Sequence, residues 1–494
     1  MNRTLLALVL AATMVLAGCS GGTGTGTTAP VDDATDAETT VATSTERTDT
    51  TTDEETTAEP TTEVDYPAVK TEDCKHRGED DDDIVDESGA CLPFDSDAVY
   101  ERVVEMAGVD IDRGPTVNAI PARETRRFDF NFNNDTFGAT MGIAPDGTPN
   151  VFSPGYAQPV ANGGDPAVTL RYIGYWNDSA LQTQLGIDFS AREAESVAAH
   201  EFLHVIQFYR GSQQRLLRNL TSEGVNREDV LLANIEGSAS FFEAEYQREY
   251  LDVPNPERNL SEWANASPFS MSQLGPYVLG EHYTRWYLDN ATEDFEKLYD
   301  DPPVSMEQII HKYPPDEALP KNLSVRGEVS SDWSSPSSPE TKGELFLRSA
   351  LRSGVSGPEA AAGAAGWGQD GAITFQNTSY SAAGNYEYGY GWAIRFDNAT
   401  EADEFTSIFQ AWLESKGPEE NGVYVQADGQ TFRMVEVSDE TVVVLAGSEA
   451  FTRQATVSGN TTEVVIEHTG EDQTQSVADD ESIVAASSHA RPLV

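Results

Sequence analysis

Basic residues are scarce in this sequence. It has 31 Lys and Arg against 83 Asp and Glu in 494 residues, so the formal net charge is −52. The acidic excess runs through the whole chain. Because such a charge repels a nucleic acid or an anionic membrane surface, the composition argues against both as partners.

The same acidic composition resembles that of proteins from extreme halophiles. At multimolar salt the Debye length falls to about 3 Å, so repulsion between surface carboxylates is screened. We therefore expect the surface carboxylates to keep the protein solvated, and we do not interpret them as a binding site.

Long apolar runs are also lacking, and no segment after the N-terminus has the length and apolarity to cross a membrane. The apolar run from Leu5 to Leu16 follows Arg3 and is too short to span a bilayer. Leu16-Ala17-Gly18-Cys19 resembles the lipobox at which bacterial and archaeal lipoproteins are cleaved and lipidated. We predict a lipoprotein signal peptide over residues 1–19 and a lipid on Cys19, which would hold the protein at the extracellular face of the cell membrane. An ordinary signal peptide with a chance cysteine is the alternative.

Cysteine is rare, with three in the chain. If Cys19 carries the lipid, Cys74 and Cys91 remain as a pair, and in an oxidising compartment we predict a disulfide between them. A metal site at this pair is disfavoured, because zinc-binding cysteines usually occur in close C-x-x-C pairs. Repeated N-x-S/T sequons, for example at Asn219 and Asn290, are typical of a glycosylated surface protein.

Residues 20–91 are expected to form a disordered stalk. Nearly all residues from Ser20 to Tyr66 are Thr, Ala, Asp, Glu, Gly or Ser, which cannot bury enough apolar surface to offset chain entropy. Order is expected to begin at Leu92. The rest of the chain is predicted to divide into a first folded domain (92–353), a small α+β region (354–455) and a flexible acidic tail (456–494).

Apolar periodicity and turn residues predict the main elements. In the first domain they are a helix from Asp95 to Gly108, a strand from Thr116 to Ile120, two strands around a Pro-Asp-Gly turn between Met141 and Phe152, a polar connector from Gly211 to Asp229 and a helix from Val230 to Glu243. Further on they are a helix from Glu344 to Ser353, strands at 372–375, 391–396 and 441–446, and a helix at 402–415.

Histidine is scarce too, yet two of the seven form an H-E-x-x-H motif. His200 and His204 are four residues apart, so on a helix they can present two imidazole nitrogens to one metal ion. Glu201 follows the first histidine, where its carboxylate can take a proton from a water at the metal. Ser190 and Glu193 form an S-x-x-E capping box that predicts the start of this helix. The alternative is a helix with two satisfied core histidines.

Glu236-Gly237-Ser238-Ala239 resembles the E-G-x-A pattern of gluzincins, metallopeptidases that bind zinc with H-E-x-x-H and a glutamate from a later helix. The resemblance implies Glu236 as the third ligand, unless it is one more surface glutamate. Gly237 and Ala239 are small, so this helix can approach the first one closely. Glu243 lies two turns further along the same face, and we predict that it contacts a zinc-bound imidazole without being a ligand.

Three later segments resemble a group of secreted bacterial and archaeal H-E-x-x-H proteins. They are Tyr277 to Leu288, Asp301 to His311 and Gly366 to Asp370, and the likeness runs in order over roughly residues 95–450. Lys312 and Gln369 depart from the group's pattern, but neither belongs to the metal set. Gluzincins also use a Tyr or His beyond the third ligand to stabilise the oxyanion, which implies three candidates that are otherwise packing residues: Tyr277, His282 and Tyr283.

The resemblance implies an α+β fold. We expect a zincin-like catalytic domain over residues 92–353, with a small N-terminal sheet whose edge strand receives a peptide, an active-site helix and a helical second half. The small α+β region would follow it. The expected function is that of a zinc-dependent metallopeptidase at the cell surface, acting on a peptide or protein. A non-catalytic, envelope-binding surface lipoprotein with structural or absent zinc is the alternative, and the oligomeric state stays open.

Overall fold

The structure is a computed structural model that describes residues 92, 94–119, 136–144, 155–159, 165–170, 191–220, 226–329, 333–334, 336–377 and 387–468. The predicted signal peptide with Cys19, the stalk, the pairing of Cys74 with Cys91 and the Ser190 cap lie outside these residues. The described part combines helices with small sheets, which confirms the α+β class. No helix within it is both long and apolar enough to cross a membrane.

The first half of the described chain contains three short strands and most of the helices. Its elements are α1 (Ser96–Met106), β1 (Thr116–Ala119), α2 (Thr136–Thr140), β2 (Gly155–Gln158), β3 (Ala167–Leu170), α3 (Ala191–Arg210), α4 (Ser212–Asn219), α5 (Arg227–Tyr250), α6 (Leu260–Ala264), α7 (Pro268–Tyr287), α8 (Lys297–Asp300) and α9 (Met306–His311).

The second half contains most of the strands. Its elements are β4 (Ser324–Val329), α10 (Gly343–Arg352), α11 (Gly357–Ala364), β5 (Trp367–Asn377), β6 (Glu387–Phe396), α12 (Ala399–Lys416), β7 (Glu419–Glu420), β8 (Val423–Val425), β9 (Thr431–Glu436), β10 (Thr441–Gly447), α13 (Glu449–Gln454), β11 (Thr456–Gly459) and β12 (Glu463–His468).

The small N-terminal sheet has the strand order β1-β3-β2. β1 runs parallel to β3 and β2 runs antiparallel to it, so β2 is an edge strand of the described sheet. Helix α3 packs against β2 and β3, where Val197 joins a core with Val168 and Leu170. The predicted strand at residues 116–120 is confirmed as β1, and the predicted helix at 95–108 is confirmed as α1.

Two predictions in the first half are wrong in part. The strand predicted to begin at Met141 is not formed there: Met141 lies in a turn directly after helix α2 and packs with Phe137 of that helix into one apolar cluster. Residues 145–152 lie outside the described part. The predicted polar connector holds α4, whose residue Leu216 is buried together with Leu220 just beyond it. Helix α5 is correspondingly longer than predicted and begins at its cap, Asn226.

The second half is built on a six-stranded antiparallel sheet with the order β5-β6-β10-β9-β8-β7. Helices α10, α11 and α12 cover one face of it around Trp392 and Trp412. A second sheet, β11-β12-β4, packs on the other face together with α13. The strands predicted at 372–375, 391–396 and 441–446, and the helices predicted at 344–353 and 402–415, are all confirmed.

The expectation of a loose tail from Thr456 is wrong for residues 456–468. Strand β12 buries Val464 and Ile466, which alternate with more exposed positions, and it pairs in parallel with β4. A period of two with one apolar face is what a half-buried strand needs. The remainder of the predicted tail lies outside the described residues.

Candidate metal centre

The H-E-x-x-H motif lies on α3, inside the core. His200 is 0% and His204 3% exposed, and their ring centroids are 4.9 Å apart. One helical turn separates the two residues, so both rings project from the same face of α3.

Glu236 of α5 reaches both imidazoles. Its Oε2 atom is 3.4 Å from His200 Nε2 and 3.3 Å from His204 Nε2, and one donor atom from each of the three residues lies within 4.8 Å of the others. Two nitrogens and one oxygen therefore converge on one point. This buried group could bind a metal ion.

Two of these donor atoms have no other use in the described structure. No described group forms a hydrogen bond with His204 Nε2 or with Glu236 Oε2, although both atoms are buried. Buried polar atoms are normally paired, because an unpaired one loses its hydration without compensation. A cation bound between them would supply the missing interaction.

The charges of the group are consistent with a cation site. Burial raises the pKa of Glu236, but the neighbouring His204 and His200 outweigh it and lower that pKa to about 2. Burial lowers the pKa of His204, but the Glu236 carboxylate outweighs this effect and raises that pKa above its usual value. Glu236 is therefore an anion at neutral pH and can supply the negative charge that a metal ligand needs.

Glu201 is fully buried beside the two histidines. Neither carboxylate oxygen has a hydrogen-bond partner among the described residues, and burial raises its pKa to about 7 despite the opposing effect of His204 and His200. Gly155, at the start of β2, lies next to this side chain. A Cβ at Gly155 would be 3.0 Å from Val197 Cγ1 and 3.1 Å from Glu201 Cγ, so the edge strand passes close to the carboxylate.

Glu243 lies beside the first histidine, with its Oε2 atom 3.4 Å from His200 Nδ1. The same carboxylate accepts hydrogen bonds from Ser196 Oγ at 2.9 Å and from Arg258 at 3.0 Å. Burial raises its pKa, but Arg258 and His200 outweigh that effect and lower it to about 2. An ionised Glu243 can therefore orient the ring of His200 from behind.

Gln207 occupies the equivalent position at the second histidine. His204 Nδ1 is 2.7 Å from Gln207 Oε1, and Gln207 Nε2 lies 3.0 Å from the Ile235 carbonyl oxygen, from Ser238 Oγ and from Tyr299 Oη. The sequence interpretation missed Gln207, although its place one turn after His204 was a usable signal. Tyr299 and Arg258 gave no such signal, because they come from distant segments.

The three candidates for stabilising the oxyanion differ in their surroundings. His282 Nε2 lies 2.8 Å from the carbonyl oxygen of Arg258, and Tyr283 donates its hydroxyl to the carbonyl of Tyr313 at 3.2 Å. Tyr277 is buried on α7, one turn before Gly280. Gly280 touches Gly237, the residue after Glu236. Gly237 was predicted to face α3, and this prediction is wrong, since its close neighbour is α7.

Comparison with known proteins reaches only the second half of the chain. A family model described as Domain of unknown function (DUF8575) matches residues 334–457, which include the six-stranded sheet and its covering helices. No curated protein and no solved structure matches the chain. The three residues of the metal centre lie outside the matched stretch, so the family match gives no function for them.

Proposed function

We propose that the protein is a zinc-dependent metallopeptidase. The observation that carries the proposal is the spacing of its donor atoms. Ligand atoms about 2.0–2.1 Å from a tetrahedral zinc lie roughly 3.3–3.4 Å apart. Two of the three separations, 3.4 Å and 3.3 Å from Glu236 Oε2 to the two imidazole nitrogens, agree with that edge length, and all three atoms lie within 4.8 Å of one another. Three protein ligands leave a fourth position, as in catalytic zinc sites.

The chain's own residues supply the remaining chemistry. Zinc, when bound, acts as a Lewis acid that polarises a peptide carbonyl and lowers the pKa of water. Glu201 holds a carboxylate beside the ligands with both oxygens uncommitted to other described groups, so it can take a proton from the attacking water and give it to the leaving amine. His282 and Tyr283 donate to backbone carbonyls, which makes both poorer candidates for the oxyanion donor.

A peptide is the substrate that best fits the surroundings of Glu201. Strand β2 is an edge of the described sheet, and its first residue, Gly155, touches the Glu201 side chain. An extended peptide can bind to a sheet by adding a strand through backbone hydrogen bonds. Such a peptide would pass alongside the carboxylate. Together with the signal peptide and lipobox predicted at residues 1–19, this supports a lipid-anchored enzyme that acts on peptides or proteins outside the cell.

Glu201→Gln tests the proposal. In multimolar salt the variant should keep one zinc per chain by metal analysis and lose cleavage of casein or peptide substrates. Glu404→Gln is the matched control, because it makes the same change at an exposed site on α12 and should leave both properties unchanged. A Glu201→Gln protein that still cleaves would remove Glu201 from the mechanism. A wild-type protein that holds zinc and cleaves nothing would favour the non-catalytic surface lipoprotein.

A further inference from the structure

A histidine can bind a metal through Nε2 only when the proton of its neutral ring is on Nδ1. Which nitrogen carries the proton is decided by the group that faces the other one. At His204 that group is the side-chain amide of Gln207, which could accept or donate depending on its orientation. The tautomer of His204 therefore depends on how this amide is oriented.

The surroundings of Gln207 allow one orientation. One end of the amide faces the backbone carbonyl of Ile235 at 3.0 Å, and a carbonyl oxygen can only accept. That end must therefore be the NH2 group. The other end, which lies 2.7 Å from His204 Nδ1, must be the oxygen.

Neighbouring hydroxyls agree with this assignment. Ser238 Oγ lies 2.7 Å from the Asn234 carbonyl, so it donates there and is left as an acceptor toward Gln207. Tyr299 Oη lies 2.8 Å from Ser238 Oγ and can donate its proton to it, which leaves a lone pair for the same NH2 group. The hydrogen-bond directions are then consistent, with the two N–H bonds of Gln207 shared among three acceptors and Gln207 Oε1 as the acceptor for the imidazole.

We propose that Gln207 is a positioning residue that holds the proton of the neutral His204 ring on Nδ1, so that Nε2 is the nitrogen presented toward Glu236 and His200. The role of Nε2 as a ligand rests on the proposed zinc function, but the tautomer itself does not. His200 is oriented differently, by the anionic Glu243. The two ligands thus receive their orientation from one neutral and one charged group.

The tautomer can be read directly in the metal-free protein. We would label the histidines with 15N, record long-range 1H–15N correlations at alkaline pH, where the imidazoles are neutral, and assign His204 from the signals lost in His204→Gln. The expected result for the wild type is a single Nδ1–H tautomer. An Nε2–H tautomer there overturns the proposal without any variant of Gln207.

Two variants provide a second test of the positioning role of Gln207. Gln207→Leu removes the acceptor, so His204 should show a mixture of tautomers, and zinc affinity measured by chelator competition should fall by about 10- to 100-fold. Gln214→Leu is the control, because it makes the same change at an exposed position on α4. It should change neither property.

The positioning role of Gln207 and the proposed peptidase function would be overturned by different results. A Gln207→Leu protein that retains a pure Nδ1–H tautomer and wild-type zinc affinity overturns the positioning role. A wild type with the Nδ1–H tautomer but no affinity for zinc supports the tautomer assignment and refutes the zinc peptidase.

Discussion

Gly237 and Gly280 bring the backbones of α5 and α7 into direct contact. A Cβ on Gly280 would lie 2.9 Å from Gly237 Cα and would overlap the carbonyl oxygen of Ala233, so only glycine fits there. Gly237 directly follows Glu236 in α5. The crossing therefore helps to set where the third candidate ligand lies relative to α3.

Gly280→Ala should accordingly destabilise the protein by about 3 kcal/mol, since a backbone neighbour cannot move aside as a side chain can. Gly275→Ala, on the same helix, is the control. Its Cβ would meet only the side chain of Leu345, at 2.7 Å, and the loss should be smaller because alanine also favours the helix. Denaturant unfolding in multimolar salt measures both changes. Equal losses of stability in the two variants would mean that the contact between α5 and α7 at Gly280 is no more closely packed than the surroundings of Gly275.

Asp370 ties the six-stranded sheet to the start of α10. Its carboxylate accepts hydrogen bonds from Trp392 Nε1 at 2.6 Å and from the backbone N–H groups of Lys342 and Gly343. Asp370→Ala leaves these donors without their acceptor and should cost about 3 kcal/mol in the free energy of unfolding. Zinc affinity should not change, because the site lies in a different core. Asp403→Ala, at an exposed position on α12, should leave stability unchanged, and a similar loss there would contradict the assignment.

Glu307 makes stability fall as the pH rises. Burial, and then the carboxylates of Glu344 and Asp397, raise its pKa to about 9 from an unfolded value near 4.5. The folded state thus holds a proton that the unfolded state releases, so its contribution to stability is complete below about pH 4.5 and is lost progressively up to about pH 9.

Glu307→Gln removes this proton linkage. The variant should lose less stability than the wild type between pH 5 and 9, and at pH 7 it should be more stable by about 1–3 kcal/mol. Unfolding curves at several pH values provide the measurement, and Glu404→Gln, which is exposed, should follow the wild type. A Glu307→Gln protein with the wild-type pH slope would show that Glu307 ionises normally in the folded state.

Local patterns predicted more of the candidate site than of its surroundings. The four-residue spacing of His200 and His204 predicted two residues of the converging group from helix geometry, whereas Glu236 was implied by the resemblance of the E-G-S-A pattern to a known family. Gln207 was accessible in the same way. Arg258 and Tyr299 were not, since their contacts depend on how distant helices pack, and no local spacing encodes that packing.

The fold shows the same division between local and distant information. Period-two alternation at Val464 and Ile466 was present in the sequence, but the polar residues around it favoured a loose tail. The strand forms because β4, more than 130 residues earlier in the chain, pairs with it in parallel. Local composition therefore gives the wrong secondary structure for segments whose structure depends on pairing with a distant part of the chain.

Zinc should stabilise the folded protein, because the ligand set is brought together only by folding. At about 100 times Kd, added zinc should raise the free energy of unfolding by about 2.7 kcal/mol, and a chelator should reverse the change. Glu236→Gln replaces the anionic oxygen of the group and should lose most of this effect. Glu201→Gln should keep it, since Glu201 lies beside the ligands without being one. The measurement is the free energy of unfolding of both variants with and without zinc in multimolar salt. If both variants lose the stabilisation by zinc equally, Glu201 acts as a ligand and its role as a base must be abandoned.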